Sequence, residues 1–275
     1  MEVLQTWVQE KIIVDGLINV FKPYGIPSTA LTEMYKKATG LKVGHGGTLD
    51  PMAQGMMLLG IGKGTKLLTK YLESEKRYRS GILLGVTSES GDLELPVRIP
   101  ELQASFSENR VVEIFKELSH QYSQVLPTLN AAKHKGKTAY QLVREGKEVE
   151  QRVVETRLLD WVILHQMEIS ASELAASLAA TEKRLIASFE SFYFVGKEIG
   201  YPAQKYSFML EKWRKSLELS KLEVEKVPNQ RYLFLDIQVL VPKGTYIRAL
   251  ATDIASRLGT VGMLISLERL SAGNH

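Results

Sequence analysis

The spacing of apolar positions changes several times along the chain, and each change marks an element. GLINVF (16–21) reads as a short strand stopped by the turn signal Lys22-Pro23-Tyr24-Gly25. Ser28 or Thr29 is placed to cap a helix that runs to Ala38 and closes at Gly40. The run MMLLGIG (56–62) suits a buried strand, and Thr65 is expected to cap a helix, KLLTKYLES. From Arg77 the period becomes two, which predicts one strand face carrying Tyr78, Ser80, Ile82, Leu84 and Val86. Residues 108–119 read as helix and QVLPTLNAAKHKGK (124–137) as irregular. Thr138 opens a short expected helix, AYQLVRE, closed by Gly146, and VVETRLLDWVIL (153–164) is strand-like.

Residues 166–229 differ from their surroundings. Ser170 and Glu173 have the spacing of a capping box, and Leu174, Leu178, Leu185, Phe189 and Phe192 recur at helical intervals. A second helical run, SFMLEKWRKSLELSKLEVEK, ends before Pro228, so the segment is expected to be an α-helical insertion between two strands. Alternation returns at Leu233, Leu235, Ile237, Val239 and Val241. KGTYIRALATDIASRLG then reads as a turn and a helix, and MLISLERL as a short last strand. The expected class is α+β, with a mixed, largely antiparallel central sheet flanked by helices.

Composition narrows the chemistry more than the fold. The 275 residues are 44% hydrophobic and 24% charged, an ordinary globular balance. A net charge of +4 permits a polyanionic partner without requiring one. With no cysteine there is no disulfide and no thiolate nucleophile or ligand. The five histidines show no paired metal spacing. No apolar run has bilayer length, and the first residues resemble neither a signal nor a transit peptide, so a soluble intracellular protein is expected. Nothing in the sequence selects nucleus, mitochondrion or cytoplasm.

The densest feature is VGHGGTLDPMAQGMMLLGIG (43–62). Glycines 44, 46, 47, 55, 60, 62 and 64 are seven of the chain's 21 and surround one carboxylate, Asp50. Such a cluster suits a backbone that bends sharply or admits a bulky neighbour. GIGKGTK is not a phosphate loop, because Lys63 is followed by Gly64 instead of Ser or Thr. An Asp before Pro commonly shapes a turn. Pro51 also biases Asp50 towards extended angles that can aim it into a cleft. The basic stretch KHKGK (133–137) suits either phosphate contacts or a solvated loop.

In chain order, GLINVFKPYGIPS, VGHGGTLDPMAQGMMLLGIGKGTK, KRYRSGILLGVTSESGD, KHKGKTAYQLVREGKEVE and GTYIRALATDIASRLG resemble the TruB-type tRNA pseudouridine-55 synthases. The final LISLERL also fits, and the likeness covers most of 15–165 and 230–272. GHGGTLDP and the helical insertion look more like eukaryotic than bacterial members. Bacterial relatives usually carry a small RNA-binding (PUA) module after the last strand, which this chain is expected to lack. Leu126, Leu129 and Asn130 stand where the family usually has Pro, Tyr and Ser.

The resemblance implies one pseudouridine synthase domain over 1–275, with an N-terminal extension at 1–14 and the insertion at 166–229. It implies isomerisation of the T-loop uridine of tRNA, without cofactor or metal, by a monomer that does not act on membranes. T-arm-like hairpins in other RNAs are further candidate substrates. By family position Asp50 is the catalytic carboxylate, attacking carbon or removing a ribose proton. Arg248 is its expected ion-pair partner. Tyr78 is expected to stack on the extruded base, and Leu267 to form part of the pocket wall. His45 is expected to contact the T-loop, with Gly46 and Gly47 giving close passage to the RNA backbone. Lys22, Lys133 and Tyr140 are expected in RNA binding or loop support. The insertion either contacts RNA through Lys183, Arg184, Lys212, Arg214 and Lys215 or packs its apolar stripe on the body.

Overall fold

A computed structural model describes residues 15–100, 108–127, 133–134, 137–138 and 152–273. Among these, the strands are β1 (Leu17–Lys22), β2 (Val43–His45), β3 (Gln54–Ile61), β4 (Lys76–Leu84), β5 (Tyr122–Val125), β6 (Lys133–His134), β7 (Lys137–Thr138), β8 (Val153–Thr156), β9 (Asp160–Ser170), β10 (Arg231–Val241) and β11 (Gly262–Ala272). Seven of them form one sheet in the order β1-β3-β11-β4-β10-β9, with β2 attached to β3. Pairing is antiparallel throughout this sheet except between β3 and β11. There Gln54 and Gly55 run parallel to Glu268 and Arg269. Irregularities at Leu264/Ser266 and Arg269/Ser271 interrupt the register of β11 with β4.

The helices are α1 (Ser28–Thr39), α2 (Leu68–Leu72), α3 (Glu108–Leu118), α4 (Ala171–Glu198), α5 (Ser207–Glu225) and α6 (Ile247–Arg257). They cover the sheet on both sides, so the strands contribute to two cores. Leu31 and Met34 of α1, Leu185 and Phe189 of α4 and Trp213 of α5 pack with Met57, Leu59 and Leu83. On the opposite face Ile114, Phe115, Leu250 and Ile254 of α3 and α6 pack with Ile82, Leu84, Leu235 and Ile237. Successive residues of one strand, Ile82 and Leu83, therefore enter different cores, as the pleat requires.

The period-two reading of β4 fails at its end. Gly85 adopts φ +86, the strand stops at Leu84, and Val86 joins the core opposite Ile82 and Leu84. Neither Ser28 nor Thr29 caps α1. Pro27 holds the cap position, and the Ser28 hydroxyl turns instead to Leu49. Thr65 lies in a 3-10 turn over Gly62–Lys66 and donates to the Gly62 carbonyl, leaving α2 short. The expected 153–164 strand divides into β8 and β9, and β9 continues to Ser170, so the helical part of the insertion starts at Ala171. Gln124 and Val125 belong to β5. Thr138 lies in β7, and the helix expected after it falls outside the described residues. Residues 1–14 lie outside them as well.

The insertion docks through its apolar stripe. Ser170 and Glu173 form the reciprocal capping box at the start of α4. Leu174, Leu178, Leu185, Phe189 and Phe192 are all buried. Leu185 and Phe189 press on Gly25, where an added Cβ would lie 2.3 Å from Leu185 Cδ1. The Arg184 guanidinium lies 4.2 Å from the centre of the Tyr24 ring. Lys212 faces Glu94 at 3.6 Å and Arg214 faces Glu182 at 3.3 Å, while Lys183 and Lys215 are exposed. No helix among the described residues is long and apolar enough to cross a membrane. Phe189→Ala should lower the unfolding free energy by about 3–5 kcal/mol in urea titration. A loss below about 1 kcal/mol would contradict the docking role of the stripe.

Candidate active site

Asp50 lies on the loop between β2 and β3, and the loop is pinned from several sides. The Ser28 hydroxyl accepts from the Leu49 N–H at 3.0 Å and donates to the Leu49 carbonyl at 2.8 Å. On the other side of Asp50, the Gly25 N–H donates to the Pro51 carbonyl at 2.9 Å, and Ala53 N–H closes the turn onto the Asp50 carbonyl at 3.1 Å. Lys22 sits behind the loop, fully buried, and donates to the carbonyls of Pro23, Pro51 and Ala53 at 3.0, 3.2 and 2.6 Å. Burial lowers its pKa to about 7, against the opposing pull of Asp50. Lys22 thus supports the loop, and its burial keeps it from the RNA contact also expected for it.

The glycines of this segment divide by what surrounds them. Gly55, at φ +118, meets the β11 backbone so closely that a Cβ would lie 2.3 Å from the Arg269 carbonyl oxygen. A Cβ on Gly64 would lie 2.0 Å from the Gly16 carbonyl oxygen. These two serve backbone packing within the protein. Of the pair expected to give close passage to the RNA backbone, Gly46 is buried against Leu58 and Gly47 lines the cleft.

Arg248 occupies the first turn of α6 and is 1% exposed. Its Nε donates to Asp50 Oδ2 at 2.9 Å and its Nη2 to Oδ1 at 3.2 Å, a two-point grip. Nη1 donates to the Ser90 carbonyl at 2.7 Å. A second carboxylate, Asp92 Oδ2, lies 3.8 Å from Nε. Asp92 is buried, accepts from the Glu94 N–H at 2.9 Å, and its carbonyl accepts from the hydroxyls of Ser88 and Ser90. Burial raises the Asp92 pKa to about 6, opposed by Arg248 and reinforced by Asp50. Asp50 is the more open of the two acids, with 22% of its side chain accessible.

Asp50 faces a cleft of about 510 Å3, lined also by Gly47, Tyr78, Tyr246, Leu267 and Arg269. Tyr78 of β4 lies in register with Arg269 of β11. Burial raises the Tyr78 pKa. Arg269 is itself buried and donates to the Met56 and Gly47 carbonyls at 2.7 and 3.1 Å, tying β11 to β3 and to the loop before it. His45 of β2 is half-buried with Nδ1 unpartnered, and its pKa is lowered by burial and by Arg269. Lys133 lies in β6, and Tyr140 falls outside the described residues. The structure therefore brings Asp50, Tyr78, Leu267 and Gly47 to one cleft and buries Arg248 against Asp50. Sequence reasoning missed Asp92, Tyr246 and Arg269, each of which lies inside a stretch quoted for the resemblance. Among the described residues, no group of three or more His, Asp and Glu is placed to hold a metal.

The site is a cleft of mixed lining that holds an arginine-gripped carboxylate. A family model described as "TruB family pseudouridylate synthase (N terminal domain)" matches residues 33–182, and the chain belongs to that family. The tRNA pseudouridine synthase B of Thermosipho melanesiensis is 35% identical over 159 residues, 56% of this chain and 52% of that protein. Those of Clostridium acetobutylicum and Leifsonia xyli are 28% and 29% identical over 94% and 96% of this chain. The chain thus spans from 52% to 69% of the length of these relatives. The fold is also that of a Cbf5 in a crystal structure titled as a Cbf5–Nop10–Gar1 complex, with a TM-score of 0.53 and 19% identity over 98% of this chain and 51% of that one.

Asp92 gives a pH test with a defined sign. Its folded pKa, about 6, lies above the ordinary value of 3.8. Its contribution to stability is therefore fully present below 3.8 and lost as pH rises through about 6. Thermal melts of wild type minus Asp92→Asn should show stability falling across that window. A difference that is flat or rises with pH would contradict the assignment.

Proposed function

We propose that this protein converts the uridine at position 55, in the T-loop of tRNA, to pseudouridine. The observation that carries the reading is the Asp50 carboxylate, gripped by both arms of buried Arg248 at the floor of a nucleoside-sized cleft. Membership of the pseudouridylate synthase family and its likeness to tRNA pseudouridine synthases B support the same reading.

The isomerisation balances within the substrate. The bond from ribose C1′ to uracil N1 breaks, the base turns, and C5 bonds to C1′. The C5 proton leaves and N1 ends protonated. An ionised Asp50 serves this chemistry either as nucleophile at C1′ or as base at the ribose. A guanidinium that supplies two charge-assisted hydrogen bonds favours the ionised form and fixes which oxygens face the cleft.

A uridine in a folded loop must leave its stack to reach Asp50. Tyr78 offers a ring for the extruded base, Leu267 an apolar wall, and Gly47 a stretch of backbone without a side chain beside the acid. His45 is proposed to meet the T-loop as the base swings out, with Lys133 and Tyr140 as further RNA contacts. The partner is the T-arm stem-loop, with T-arm-like hairpins in other RNAs as additional substrates. We propose that it acts as a monomer.

Tritium release from a T-arm hairpin labelled at uridine C5 tests the reading. Wild type should release label, and Asp50→Asn should slow release by about a thousandfold or more while binding the hairpin within about threefold of wild type. Wild-type binding without release would instead indicate a non-catalytic RNA-binding protein. In the same assay Tyr78→Phe should keep affinity and lose about tenfold or more in turnover. Full turnover would exclude a role for the hydroxyl.

A further inference from the structure

Helix α6 carries Arg248 but starts without a side-chain cap within its own sequence. The N–H of Tyr246, at its cap position, donates instead to Oε1 of Gln124 at 2.8 Å. Gln124 lies on β5 and is fully buried. Its Nε2 donates to Asp253 Oδ2, further along α6, at 3.2 Å and to the Tyr122 hydroxyl at 3.3 Å. The donors and acceptors fix the orientation of the carboxamide, since only its oxygen can accept from Tyr246. A second tie lies alongside, where the hydroxyls of Thr156 on β8 and Thr245 hydrogen-bond. Tyr122 and Thr156 are opposite one another in the β5–β8 pair, so both strands are fastened to the two residues that lead into α6.

Thr245 and Tyr246 line the cleft with Asp50, and Arg248 follows Tyr246 by two residues. A two-point grip tolerates little displacement, because hydrogen bonds weaken steeply as they lengthen and misalign. We propose that Gln124 is a positioning residue whose carboxamide fixes the start of α6 and thereby the aim of Arg248 at Asp50. Gln124 does not touch the cleft. It acts through Tyr246, and its kinetic consequence rests on the function proposed above.

The test combines kinetics with backbone exchange in the full chain. Gln124→Met keeps the length and removes the acceptor. Single-turnover pseudouridine formation should fall about tenfold while the Kd for the T-arm hairpin stays within about twofold, and the Tyr246 amide should exchange faster with deuterium. Gln124→Glu keeps the acceptor but sets a carboxylate against Asp253. It should be impaired alone, and Asp253→Asn in the same chain should restore the rate to within about threefold of wild type, since the new amide can donate to Glu. An unchanged rate in Gln124→Met, a loss that merely follows the unfolded fraction in thermal melts, or no rescue in the double variant would each overturn the proposal. If wild type itself forms no pseudouridine, the functional reading fails and Tyr246 exchange decides alone: faster exchange in Gln124→Met supports the positioning role, and unchanged exchange overturns it.

Discussion

The arrangement depends on one buried arginine. Arg248 is removed from water almost entirely, and desolvating a guanidinium costs several kcal/mol unless acceptors replace the solvent. Three acceptors do so: both oxygens of Asp50 and the Ser90 carbonyl, with Asp92 close behind. Removing either member of the Asp50–Arg248 pair deprives the other of two charge-assisted hydrogen bonds. The surrounding structure can be understood as the means of holding that pair in register. Ser28, Gly25 and Lys22 fix the loop that presents the acid, and Gln124 meets the start of the helix that presents the guanidinium.

The same constraint explains the crowding of glycine around Asp50. Gly55 and Gly64 let strands and turns approach within distances that any side chain would forbid, so the acid sits on densely packed backbone. Gly47 is the member of the expected pair that leaves backbone bare towards the cleft. The glycines therefore act in two directions, inward to pack and outward to admit. Arg269 spans both, with its guanidinium on the carbonyls of Met56 and Gly47 and its backbone against Gly55.

Helical periodicity made the insertion legible, because Leu174 through Phe192 report a buried face whatever they pack against. Alternation likewise marked β10, whose Leu233, Leu235, Ile237, Val239 and Val241 share one core. Val86 escaped that logic, since Gly85 reverses the backbone before it. Thr65 failed as a cap because the tight approach of Gly64 to Gly16 favours a 3-10 turn over a helix start. Asp50 was ambiguous by local pattern, and only the family likeness singled it out. Asp92, Arg269 and Gln124 carry no local signature of a site, because the contacts that tie them to it, with Arg248, Gly47 and Tyr246, span distant parts of the chain.

Replacing Arg248 by lysine separates the grip from the charge, because an ammonium keeps the positive centre but cannot hold both carboxylate oxygens as a planar fork. If the two-point hold on Asp50 governs the chemistry, single-turnover pseudouridine formation on a T-arm hairpin by this variant will fall by about a hundredfold or more, with hairpin affinity unchanged. A lysine variant that forms pseudouridine at the wild-type rate would contradict the account.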